Sequence, residues 1–212
     1  MSAVQHETYN RVFGTAYTLL VTGALVAVAV APFLVVLVIT PSAWLLVPTA
    51  PLLGPAVAAA HAVFAADAGD VVRGYLRAWR RHARRSLAVS GTATGVLLVL
   101  AVDVRAAWGT SVGAVAIPVL AVLAVLTAVT ALVALTAVVE RPDLPVRRLL
   151  PACLALAVRA PHFTVLSLVA LWVHATAISA APVLAVALLT GPALYVVWAG
   201  NRATLRPVLA TA

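Results

Sequence analysis

The chain has 212 residues, of which 64% are hydrophobic and only 9% charged, with a formal net charge of +8. An ordinary soluble domain carries roughly 25% charged residues. This composition excludes a water-soluble globular enzyme, a disordered tail and a secreted disulfide scaffold. It leaves one class, an all-α polytopic membrane helical bundle.

Every basic residue is Arg, and the single Cys153 can form neither an internal disulfide nor a cysteine metal cluster. Glu7 precedes an apolar run too long for a cleavable signal, so the first run reads as a retained span. A crossing takes about 20 apolar residues. Six stretches read as spans in chain order: 16–39, 44–66, 87–102, which is short and borrows flanking residues, 112–139, 162–180 and 183–200. The second carries Pro48, Pro51, Gly54 and Pro55 at its start. Each Pro removes a backbone donor, so a regular helix cannot run through that segment. It reads either as a broken helix of the kind that forms transporter sites, or as a loop with Pro55 in the first turn of a helix.

Two further segments read as interfacial amphipathic helices. In 70–85, Val72, Tyr75, Leu76, Trp79 and Ala83 recur on one face, and Arg73, Arg77, Arg80, Arg81 and Arg84 on the other. Asp67 and Asp70 stand where a helix start favours carboxylates. Such a helix is expected to lie in the inner membrane interface, with Trp79 at headgroup level. The second, 145–159, is interrupted by Pro151.

Arg placement sets the orientation. With a cytoplasmic N-terminus, Arg11, the six Arg of 73–85, Arg141, Arg147, Arg148, Arg159, Arg202 and Arg206 lie inside, and Arg105 alone lies outside. Both termini are then cytoplasmic. The same Arg excess suits anionic lipid at the inner face or a docking partner. No aromatic platform accompanies it, so nucleic acid is not expected.

Arg11, Arg85 and Arg159 are each 74 residues apart, as are Pro118 and Pro192. An interfacial helix, a span out and a span back would then occur three times as parallel two-span repeats. Chance similarity in an Ala/Val/Leu-rich chain gives the same spacing. His61 and His174 are the titratable side chains well inside spans, and such residues are functional candidates or hydrogen-bonded neutral imidazoles. Their depths differ by roughly 10 Å, too far for a direct pair. With Gly54 and Pro55 they outline a polar site inside the membrane. No phosphate loop, metalloprotease motif or paired intramembrane carboxylate is present. No cofactor or metal is expected.

Several stretches resemble the YesL-like family of small bacterial membrane proteins. They are Tyr9-Asn10-Arg11-Val12-Phe13, the segment from Leu46 to Ala60 with its Pro-Thr and Gly-Pro steps, Tyr75 to Arg85, and Arg159-Ala160-Pro161-His162-Phe163-Thr164. Ala160 stands where that family usually has Asn, and His82 also stands near a usual Asn. The resemblance implies a non-enzymatic protein of the bacterial cytoplasmic membrane, accessory to or regulating a carbohydrate ABC uptake system through its permease subunits. It assigns no catalytic residue. A small-solute transporter or channel with its site near the broken second span is the alternative. Homo-oligomerisation is left open.

Overall fold

The computed structural model describes residues 2–39, 45–66, 70–181 and 184–209; within these, the side chains of 2–12, 37–39, 187 and 207–209 are not described. Trp44, Asp67, Pro182 and Val183 therefore lie outside the described residues. So do the side chains of Tyr9, Asn10 and Arg11.

The described residues are helical, with no strand among them. Helix α1 is Ser2–Ala29 and α2 is Ala31–Ile39. The first expected span is thus divided at Val30. Pro32 has no N–H to donate back along the helix, which marks the break. The second expected span holds α3, Leu46–Thr49, a 3₁₀ turn at Ala50–Leu52, and α4, Leu53–Ala65. Pro51 sits inside that tight turn, where its missing donor is least costly.

Helix α5, Val71–Ala107, runs 37 residues without interruption. The composition predicts an interfacial helix over 70–85 and a separate span over 87–102. The structure joins them. Between Arg85 and Leu87 there is only Ser86, whose hydroxyl donates to the His82 carbonyl inside the helix (2.8 Å), and nothing there breaks the ladder. Asp70 caps the start by accepting from the Arg73 N–H at 3.2 Å. Gly109, at φ 79°, makes the turn into α6, Gly113–Glu140. Helix α7 is Val146–Arg159; Pro151 lies within it, so the expected interruption is absorbed. Pro161 then forces a break at Ala160 and opens α8, Pro161–Ala180. A π turn at Ala185–Leu189 leads into α9, Thr190–Leu209.

Among the described residues, four helical stretches are long and apolar enough to cross a membrane: Leu46–Ala65, Val71–Ala107, Gly113–Glu140 and Pro161–Ala180. This is fewer than the six expected: the first stretch is divided at Val30, and in the sixth a π turn takes up Ala185–Leu189 while α9 carries the polar Asn201, Arg202 and Arg206. Burial supports the membrane class. Trp172 on α8, Val99 on α5 and Val115 on α6 are 68%, 59% and 73% exposed. Apolar faces of this extent suit hydrocarbon as their solvent.

Hydrocarbon offers no hydrophobic drive between helices, so small residues must let backbones approach. The core shows this. Ala56, Ala58, Ala59 and Ala60 of α4 are fully buried. Ala56, Ala59 and Ala60 lie in a cluster with Val26 of α1, Val71 and Tyr75 of α5, and Leu194 of α9. A second cluster joins Val89 of α5, Val133 and Val138 of α6, Leu149, Cys153 and Ala157 of α7, and Leu205 of α9. The three units of the expected repeat are not built alike. Helices α1 and α5 run on into their spans, whereas Pro161 separates α7 from α8.

Candidate functional site

The basic half of α5 is one wall of the bundle. Val71, Tyr75, His82 and Ser86 form its buried face. The Tyr75 hydroxyl donates to the Ala56 carbonyl of α4 at 3.3 Å, and the Ser90 hydroxyl to the Pro51 carbonyl at 2.7 Å. Tyr75 therefore parts company with Val72, Leu76 and Trp79, its expected face-mates, which stay on the exposed side. A neighbouring helix covers one edge of the apolar stripe and leaves the other open.

Arg73, Arg77, Arg80, Arg81 and Arg84 are all exposed. Arg73 pairs with Asp70 at 3.2 Å. Among the described residues, the other four have no hydrogen-bond or ion-pair partner. Arg85 behaves differently. Its guanidinium donates to the carbonyls of Pro142 (2.8 Å), Arg141 (3.4 Å) and Leu144, tying α5 to the loop that ends α6. In that loop Arg141 grips Asp143 with two 3.1 Å bonds, which hold the Asp143 carboxyl below its ordinary range.

Arg85 thus marks the level at which α6 ends. From Arg85 to Ala107 is about 33 Å of helix, one bilayer crossing. From Arg85 back to Arg73 is about 18 Å more. The basic ridge continues past the end of α6 on the same helix, packed along α4, where its composition predicts a separate interfacial helix.

The intramembrane candidates separate. His61 is fully buried where α4, α6 and α9 meet. Its Nδ1 lies 3.1 Å from the Thr136 hydroxyl. Asn201 donates Nδ2 to that same hydroxyl and to the Leu132 carbonyl, both at 3.1 Å. His61 Nε2 is enclosed and has no partner among the described residues. One turn on from Thr136, Glu140 pairs with Arg202 at 3.4 Å, and Arg202 lies over Trp198 at 5.2 Å. His174 faces Thr190 instead, at 3.4 Å. Thr190 and Asn201 stand about 16 Å apart along α9, so the two histidines serve different places. Gly54 and Pro55 are buried at a helix crossing, where a Cβ on Gly54 would meet the Ser90 hydroxyl oxygen at 2.3 Å.

Sequence reasoning missed Thr136 and Asn201. Asn201 carries a faint signal, being an amide at the end of an apolar run. Thr136 carries none, because threonine is common in such helices and often bonds its own backbone.

Cys153 is buried in α7, and burial pushes its thiol up to about 12. The thiolate is the reactive form, so its share at pH 8 falls by roughly three orders of magnitude. A water-soluble maleimide is expected to label Cys153 very slowly in folded protein and rapidly in SDS. Arg85→Ala, by freeing the loop before α7, is expected to speed labelling. Fast labelling of the unaltered protein would show that α7 is not docked as described.

No known protein family, characterised protein or solved structure matches the chain.

Proposed function

We propose that the chain is a non-enzymatic, six-span protein of the bacterial cytoplasmic membrane, both termini cytoplasmic, that acts as an accessory or regulatory partner of a carbohydrate ABC uptake system. The observation that carries this reading is the ridge of α5. Arg77, Arg80, Arg81 and Arg84 stand exposed and, among the described residues, unpaired beyond the end of α6, beside exposed Leu76 and Trp79. Topology alone would be served by scattered Arg. An exposed ridge, half cationic and half apolar, suits a protein partner with an acidic rim. The YesL-like stretches supply the identity of that partner, the permease subunits.

The threefold repeat belongs to the same proposal. Gly54-Pro55 and Gly191-Pro192 both stand at close helix crossings, α4 on α5 and α9 on α1. That is what related units would produce, and it supports pairing the first unit with the third.

The test is co-isolation from native membranes. Permease subunits are expected to accompany the unaltered protein, and a variant with Arg77, Arg80, Arg81 and Arg84 all changed to Glu is expected to lose them at unchanged protein level. Repeated recovery of the unaltered protein alone in mild detergent would count against the reading. Retention of the subunits by the variant would too.

A second reading, a small-solute transporter, draws on His61. An enclosed ring nitrogen without a partner is costly in hydrocarbon and favours a polar visitor. Solute uptake by proteoliposomes that disappears in His61→Ala would move the balance to it.

A further inference from the structure

Helices α5, α6 and α7 enclose a groove of about 260 Å³ on the lipid-facing side of the bundle. Val89 and Val96 of α5, Leu126 and Ala131 of α6, and Leu150 and Leu154 of α7 line it. Thr92 and Thr127 also border it, but their hydroxyls donate to the Ala88 and Leu123 carbonyls of their own helices; the Thr130 hydroxyl, enclosed and without a partner among the described residues, is the one polar point in an otherwise apolar wall.

The depth of the groove is informative. Arg85 is tied to the end of α6, and Val89 lies one turn further in. From Arg85 to Val96 is about 16 Å of helix, close to half of the ~30 Å hydrocarbon core. Along α6 it reaches Leu123, about 27 Å from Arg141, so the groove runs through the middle of the acyl zone. At its shallow end stands cationic charge. Arg147 precedes Leu150 by one turn and Leu154 by two, on the same side of α7, and is exposed. Arg81 precedes Val89 by two turns on α5 and is exposed as well. Arg85, between them, is engaged by loop carbonyls.

We propose that this groove seats one acyl chain of an anionic phospholipid, with its phosphate held by Arg147 and Arg81. A largely apolar slot in the acyl zone, with guanidinium groups toward its shallow end, matches such a lipid in apolar character and charge. A zwitterionic lipid fills the slot equally well but returns less to the arginines. The binding needs no permease, so it stands or falls apart from the partner reading above.

Native mass spectrometry tests it, using purified protein titrated with phosphatidylglycerol or phosphatidylcholine of the same chain length. One phosphatidylglycerol per protein is expected to persist at activation energies that strip phosphatidylcholine. Arg147→Gln is expected to weaken that retention about fivefold, the effect of one Arg near the surface. Ala131→Trp, which fills the groove, is expected to abolish it, whereas Val169→Trp on the lipid-facing side of α8 is expected to leave it unchanged. Arg147 is exposed, so its variant is informative even where Ala131→Trp fails to fold. Equal retention of the two lipids would overturn the proposal. So would unaltered retention in Arg147→Gln, or in a folded Ala131→Trp protein.

Discussion

A Gly191→Ala variant is expected to lose about 3 kcal/mol of stability, the upper end of what overpacking costs, and to unfold at a clearly lower temperature in mild detergent. The reason is the crossing of α1 and α9. A Cβ on Gly191 would sit 1.9 Å from the carbonyl oxygen of Leu19 and 2.6 Å from its carbonyl carbon. Both are backbone atoms, so no rotamer change relieves the clash. On the facing helix, a Cβ on Gly23 would lie 2.8 Å from the Gly191 nitrogen. The two helices touch main chain to main chain, as small residues permit in a membrane. Gly91→Ala is the control. It lies within α5 with nothing within 4 Å of its would-be Cβ. Removing a glycine from a helix interior there is expected to stabilise by roughly 0.5–1 kcal/mol. Thermal unfolding followed by circular dichroism separates the two. Equal midpoints for Gly191→Ala and the unaltered protein would mean that α1 and α9 do not cross at these glycines.

Thr136→Val is expected to cost about 1–2 kcal/mol, although it keeps the side-chain shape. The hydroxyl is the hub of the buried cluster: Asn201 donates to it, and His61 Nδ1 shares its proton or supplies one. Valine leaves both groups a partner short at a site closed to water. Thr127→Val tests whether any threonine would do as much. The Thr127 hydroxyl serves only the Leu123 carbonyl of its own helix and is not buried, so the expected change is near zero. A double-mutant cycle with His61→Leu is expected to give a coupling energy of at least about 0.5 kcal/mol, the usual floor for residues in contact. Additive losses would show that the 3.1 Å contact carries no energy.

The elements whose edges depend on local chemistry are legible in the amino-acid sequence. Asp70 starts α5, Pro161 starts α8, and the prolines near Gly54 interrupt a regular helix, each through an effect that acts within one turn. Positions that depend on which neighbour arrives are not legible. Tyr75 and Trp79 look equivalent in a periodic pattern, yet α4 covers the first and leaves the second exposed. The join between 70–85 and the following span escapes a sequence reading because a change from basic to apolar composition looks like a boundary, although the backbone has no cause to break there. Thr136 and Thr127 are likewise indistinguishable in sequence, and only one of them has a histidine and an amide delivered to it by other helices.

Composition and Arg placement by themselves determined an all-helical chain built for a membrane and an expected orientation within it, because transfer to hydrocarbon depends on residue type summed over a segment. Tertiary structure alone decided where the net charge of +8 is presented. Arg85 is spent on the loop that ends α6, Arg202 on Glu140, and Arg73 on Asp70. Arg77, Arg80, Arg81 and Arg84 remain along an exposed ridge: unlike Arg73 they have no carboxylate one turn away, and among the described residues no other helix brings one within about 4 Å.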